Sequence, residues 1–258
     1  MHAHLRAARR LAGALAIALP APLAACTADP PPPALVSTAD PIPAEADAAR
    51  DELAALAAAA QDRHLTATYT LTTGDDPART ISVTSANDGS WRVDVPGWGR
   101  GGTVDVSLAA TADGLFQCAL PSAGHPEPAS CVRLGAPDDA VPGKLDPRVQ
   151  HPFTDSLEVL TDRRAPLAIS PATPPAGMSG QCYSVDSTSA SLNAPLDVGI
   201  YCFRPDGTPS GVRAAFGTLT LAGEPGAAPA TVQLAGPVTD AEPVGRHAPT
   251  EDPSPTTQ

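Results

Sequence analysis

Lysine and aromatic residues are scarce in this chain of 258 residues. There is one lysine, Lys144, and aromatics make up 3% of the sequence, so a core has to be assembled from Leu, Val, Ile and Ala. Cationic charge is also short. The formal net charge of −12 excludes the Lys/Arg-rich surface that displaces counterions from nucleic acid and leaves no polybasic patch for anionic headgroups. The familiar catalytic signatures are missing: no GxSxG elbow, no HExxH, no Walker-type loop and no GxGxxG, and Gly177-Met178-Ser179-Gly180 matches none of them. Metal spacing is absent too. No CxxC or HxxxH occurs, only His125 lies near a cysteine, and Asp75-Asp76 and Asp138-Asp139 lack the alternating ligands of a calcium loop. His2 and His4 sit in the leader, His64 ends a helix, and His125, His151 and His247 lie beside or near proline. None has an evident partner for acid–base work. The expectation is a non-enzyme with no catalytic residue, no metal and no cofactor.

What is present begins at the N-terminus. Arg6, Arg9 and Arg10 precede an apolar run over residues 11–19, then Leu23-Ala24-Ala25-Cys26. A basic start, a short apolar stretch and small residues before a cut make a secretory signal. The run is shorter than the roughly 20 residues of a membrane span and is followed by Pro20 and Pro22. A cysteine directly after Leu-Ala-Ala resembles the lipobox of bacterial lipoproteins. That resemblance implies a signal peptide over residues 1–25 and a diacylglyceryl thioether, with further acylation such as palmitate, on Cys26. It also implies an extracytoplasmic protein anchored to the outer leaflet of the cytoplasmic membrane. Each buried CH2 of such an anchor contributes about 0.8 kcal/mol. The competing reading is an ordinary signal cleaved after Ala25, with Cys26 a free thiol. Losing residues 1–25 removes three arginines and no carboxylate, which leaves 13 basic residues against 28 acidic and a net of −15. The anchor, not charge, then holds the protein at its membrane. The preference for Ala, Pro, Gly and Arg over Lys is associated with high-GC genomes such as those of actinobacteria.

Setting Cys26 aside leaves Cys118, Cys131, Cys182 and Cys202, an even number in an exported chain. Three pairings are open. The local pairs Cys118–Cys131 and Cys182–Cys202 are favoured, because each flanks a turn-rich loop between strand-like runs.

Four prolines in residues 30–33 favour an extended polyproline tether over residues 26–43. Residues 44–64 are alanine-rich and predict a helix, with Glu45, Asp47, Asp51 and Glu52 early and Arg63 and His64 late. The period then becomes two: Leu65, Ala67, Tyr69 and Leu71 alternate with threonines. Ile81 and Val83, then Trp91, Val93 and Val95, then Val104, Val106 and Leu108 continue it. That predicts an antiparallel sheet with one buried side, broken by turns such as Asn87-Asp88-Gly89, Pro96-Gly97 and Asp113-Gly114. Residues 115–120 and 131–134 predict two more strands. Residues 146–164 predict a second helix, with Asp146 as cap, Pro147 at the first position and a kink at Pro152. Strands return over residues 182–185, 200–203, 212–216, 219–221 and 231–234. Residues 239–258 are rich in Pro, Thr, Asp and Glu and predict a disordered tail.

The order lipobox, tether, alanine-rich helix, strand meander, inserted helix and closing strands resembles the LolA-like half-barrel family, including actinobacterial glycolipid-carrier lipoproteins of the LppX/LprG type. The residues that carry it are Leu23-Ala24-Ala25-Cys26, the helix up to His64, Trp91-Arg92-Val93-Asp94, Asp113-Gly114-Leu115-Phe116, Gly180-Gln181-Cys182-Tyr183-Ser184-Val185, and Gly199-Ile200-Tyr201-Cys202-Phe203. The resemblance covers residues 44–238. It implies an α+β domain, with a strongly curved antiparallel sheet packed on the N-terminal and inserted helices. Between sheet and helices it implies an apolar cavity for acyl chains. Strand alternation places Tyr69, Leu71, Val93, Val106 and Phe116 in the lining. The expected function is binding or carriage of a lipid or acylated molecule. The alternative is a non-catalytic envelope lipoprotein with an interaction or sensing role, its protein partner unnamed by the sequence.

Overall fold

The alanine run of residues 44–64 becomes helix α1 (Ala44–Gln61). Ala49, Leu53, Leu56, Ala57 and Ala60 recur at helical spacing and are all buried, which makes the apolar stripe that seats a helix on a sheet. The helix stops before Arg63, whose guanidinium lies 2.6 Å from Asp206 and 3.0 Å from the Thr208 hydroxyl, in the turn between two later strands. Gly207 in that turn has φ +83, and a Cβ there would sit 2.7 Å from the backbone of Ala59 and Ala60. Only glycine permits that approach. The computed structural model describes residues 44–189 and 196–247, all within one compact unit, Pro41–Gln258. The leader, Cys26, the tether over residues 26–43 and residues 248–258 lie outside the described residues.

Among the described residues the sheet has twelve strands: β1 (Leu65–Thr72), β2 (Arg79–Ser85), β3 (Trp91–Gly99), β4 (Val104–Thr111), β5 (Gly114–Leu120), β6 (Ser130–Gly135), β7 (Leu167–Ala172), β8 (Gln181–Ser187), β9 (Gly199–Phe203), β10 (Pro209–Ala214), β11 (Gly217–Leu221) and β12 (Gly226–Ala227). Every named pairing is antiparallel, in the order β6-β5-β4-β3-β2-β1-β11-β10-β9-β8-β7, with β12 beside the start of β1. The first strand is therefore central, and two wings spread from it. The sheet is open, with β6 and β7 at its ends. The large antiparallel sheet is as the strand periodicity predicts, and with two helices among the described residues the class is α+β as expected.

Registers sort the side chains. Tyr69 pairs with Ile81, Val83 with Val93, Val95 with Val106, and Val106 with Ala119. All are buried on one face. Thr66, Thr68, Thr70 and Thr72 alternate to the other face, exposed or half-exposed. Two cores share the buried face. Under β7–β10, α1 and α2 (Asp155–Thr161) pack with Ile169, Tyr183, Val185, Tyr201 and Phe203. Under β1–β5, the cover is irregular chain: Val149 and Phe153 from the turn and 3-10 segment of residues 146–153, and Val244 near the C-terminus.

Several sequence expectations change here. The helix expected over residues 146–164 forms only at Asp155–Thr161, after a short 3-10 turn at His151–Phe153. Asp146 does not cap it. Its carboxylate instead accepts from the Arg148 amide at 2.8 Å and Gln150 Nε2 at 2.7 Å, which holds the chain in a turn with Arg148 at φ 67. Pro96-Gly97 does not end a strand; β3 runs on to Gly99 with a register shift after Val95. Residues 231–234 form no strand, because the Val232 amide donates to the Ser90 hydroxyl at 2.9 Å. Strand β7 was not read from the sequence. The tail expected to be disordered from residue 239 stays in the fold to His247. Thr239 donates to the Cys131 carbonyl at 2.8 Å, and Gln117 takes both the Val244 amide (2.6 Å) and carbonyl (3.0 Å).

Disulfides join Cys118 to Cys131 and Cys182 to Cys202. Each links residues directly opposite in register, β5 to β6 and β8 to β9. By strand parity both lie on the face away from the two cores.

Candidate binding clefts

Residues 146–153 cross the buried face of the sheet as a strap. Val149 and Gln150 are 2% and 1% exposed, so the strap is part of the core rather than a loose flap. The Phe153 ring lies 4.8 Å from the Tyr69 ring. The Tyr69 hydroxyl donates to the Pro209 carbonyl at 2.8 Å, and burial pushes its phenol pKa up, so it remains a donor. The strap leaves a cleft at either end of the β1–β3 strands.

The first cleft, of about 720 Å³, lies at the start of β1 and the end of β2. Leu65, Tyr69, Val83, Trp91, Phe153 and Leu157 give it apolar walls, and residues 137–141 form part of its rim. Gln150 also lines it. Its Nε2 is held by Asp146, while its buried Oε1 has no hydrogen-bond partner. Arg63, His64, Asp138, Asp139, Asp155 and Glu158 also line this cleft, so charged groups share it with the apolar walls.

The second cleft, of about 730 Å³, lies at the end of β1 and the start of β2. Leu71, Val95, Trp98, Val149 and Phe216 are its apolar part; Arg79, Arg148, Arg246, Asp76 and Asp146 are its charged part.

Between the clefts the strap carries a polar knot. His151 Nε2 lies 3.0 Å from Asp146 Oδ2, and Nδ1 lies 4.0 Å from Asp155. Burial alone would raise the Asp146 pKa. The hydrogen bonds from His151 and Gln150, the His151 charge and the Arg148 amide outweigh it and hold that carboxyl below its ordinary 3.8. Arg148 pairs with Asp197, just before β9. Asp197 behaves oppositely. Burial pushes its pKa up, with Asp146 adding to the push, against Arg148 and His151. Its buried Oδ2 has no hydrogen-bond partner, which is consistent with that direction. Among the described residues no group of three or more His, Cys, Asp or Glu is placed to hold a metal ion, and no helix is long and apolar enough to cross a membrane.

The five residues expected around one cavity are not brought together. Tyr69 lines the first cleft and Leu71 the second. Val93 and Val106 are 1% and 0% exposed, closed into the core between them. Phe116 is on the other face. It pairs with Ala109, whereas Leu108 and Gln117 share the core-facing register. The single expected cavity is divided because Val149 and Phe153 fill its middle. Leu65, Val83 and Trp91 follow the same alternation as Tyr69 and were findable from it. Phe153, Leu157 and Gln150 reach the cleft only through the path of the strap. No known protein-family model matches this chain, and no curated protein matches it either.

Proposed function

We propose that this protein is an exported, lipid-anchored binding protein that takes the acyl chain of a lipid or acylated molecule into the cleft at the start of β1. The observation that carries the reading is that cleft itself: about 720 Å³, within the range of small-molecule sites, walled by Leu65, Tyr69, Val83, Trp91, Phe153 and Leu157. Apolar surface removed from water there contributes about 25 cal/mol per Å². The open antiparallel sheet with helices on one wing supports the reading of a half-barrel of the LolA-like kind. Anchorage through Cys26 after removal of residues 1–25 rests on the lipobox. Two disulfides support an oxidising compartment.

Native mass spectrometry of the full chain tests this. Mass that is carried in the native spectrum and lost on denaturation is the bound lipid, distinct from any covalent anchor. Ala140, exposed at the cleft rim, is the place to block: Ala140→Phe is expected to abolish the non-covalent adduct while the fold is kept. A wild-type chain with no adduct and no uptake from mixed-lipid vesicles would transfer the reading to a protein-interaction role. Loss of membrane fractionation in Cys26→Ala tests the anchor separately.

A further inference from the structure

The second cleft sets cations against apolar walls in a chain whose formal net charge is −12. Arg79 occupies a core-facing position opposite Leu71 at the start of β2. Its guanidinium donates only to neutral acceptors: the Pro96 carbonyl at 3.4 Å, the Gly97 carbonyl at 3.3 Å and the Thr73 hydroxyl at 3.4 Å. Arg246 is positioned by its own backbone, whose carbonyl accepts from the Gly101 amide at 2.7 Å. Among the described residues no carboxylate lies within 4.0 Å of either guanidinium. The acids of the cleft are engaged by their neighbours. Asp76 accepts from Thr73, and Asp146 from Arg148, Gln150 and His151. Gly101 forms part of the lip at φ +70, and a Cβ there would meet nothing within 4 Å, so that side stays open. Trp98 and Phe216 line the same cleft.

We infer that this cleft binds an oxyanion joined to an apolar group, of the alkyl-phosphate type, with Arg79 and Arg246 taking the anion and the Trp98–Phe216 side taking the apolar part. A guanidinium matches a phosphate or carboxylate edge with two parallel hydrogen bonds. Apolar walls strengthen such bonds by lowering the local dielectric.

The two tryptophans of the chain make the clefts separately readable, since Trp98 lines this one and Trp91 the other. In the full chain carrying Trp91→Phe, Trp98 emission is followed on adding dodecyl phosphate below its micellar concentration, inorganic phosphate, or neutral dodecyl maltoside. The expected result is a saturable Trp98 change, with dodecyl phosphate binding about tenfold or more tighter than either comparison ligand. Arg79→Gln and Arg246→Gln are each expected to weaken it by about tenfold, the scale of one charge-assisted hydrogen bond. No saturable change, equal affinity for inorganic phosphate, or equal affinity for dodecyl maltoside overturns the inference, as do folded arginine variants that bind like the parent. Arg79 also tethers the turn at residues 96–97, so Arg246→Gln, on an exposed residue, decides the matter if Arg79→Gln does not fold. The acyl-chain reading of the first cleft stands or falls apart from this one, because in the Trp98→Phe chain the same titrations report on Trp91.

Discussion

Under β7–β10 two helices lie over the buried face. Under β1–β5 the same face is covered by irregular chain, the strap of residues 146–153 and the return of Val244. A helix presents a continuous stripe. Leu53, Leu56 and Ala57 of α1, with Leu157 and Leu160 of α2, pack against Ile169, Val185 and Phe203. A turn followed by a single 3-10 turn is short and fills only the line it follows. Both clefts open beside it, one on each side. The first cleft also reaches the ends of both helices, with Ala60 and Leu157 in its lining, so space for a ligand lies where the helical cover gives way to the strap.

The largest expected effects sharpen that contrast. Leu53→Ala removes a fully buried side chain from the helix-covered wing and is expected to cost about 2–5 kcal/mol, read from the denaturation midpoint in urea. Val149→Ala, in the strap, removes less apolar surface beside an open cleft and is expected to cost distinctly less while enlarging that cleft. Equal losses would break the comparison.

The disulfides come next, one per wing. Their separations of 13 and 20 residues close loops of similar entropy, so replacing either pair by alanine is expected to cost about 2–4 kcal/mol. Both lie on the face away from the clefts. Ligand titrations on the folded variants are therefore expected to match the parent. A staple whose loss changes Trp91 or Trp98 titrations would show that the clefts depend on the far face.

Much of the sheet was legible because its period is two and its turns carry Asp, Asn and Gly. The strands of residues 65–120 and the helix of residues 44–64 follow from local pattern alone. The misreadings have particular physical causes. Strand β5 is buried on both sides, so hydrophobicity hid its parity, and Phe116 was placed on the wrong face. Strand β7 contains Pro171 and sits at the end of the sheet, where proline is tolerated but the sequence signal fades. Asp146-Pro147 has the form of a helix start, yet the carboxylate serves a turn and leaves a strap. The site suffered most, because its floor depends on alternation that can be read and its division into two clefts depends on where residues 146–153 cross.

A smaller effect tests the second irregular cover. Gln117 is 1% exposed and clamps Val244 through both amide atoms, across 127 residues of sequence. Gln117→Ala is expected to cost about 1–3 kcal/mol and to expose residues 240–247 to limited proteolysis, cleavage that the core-truncating Leu53→Ala leaves slow under native conditions. Equal cleavage of parent and Gln117→Ala would mean that the tail is held by other contacts.

The smallest effect is a pH dependence at the join between the covers, where Arg148 of the strap meets Asp197 before β9. The two carboxylates there act with opposite sign. Asp197 is held above its ordinary 3.8. The folded state then binds its proton more readily than the unfolded chain does, and the stability this contributes is present below 3.8 and lost as pH rises through the elevated value. Asp146 is held below 3.8. Its contribution is present above 3.8 and lost as pH falls through the depressed value, when the carboxylate can no longer serve His151, Gln150 and the Arg148 amide. Asp197→Asn is therefore expected to flatten the stability curve only above pH 3.8, and Asp146→Asn only below it. Other acids such as Asp206 titrate in parent and variant alike and cancel in the difference. Urea midpoints measured from pH 2 to 7 on the three chains decide it. Identical difference curves for the two variants would mean that strap and β9 do not meet through this pair, and that the two wings are joined by apolar contact alone.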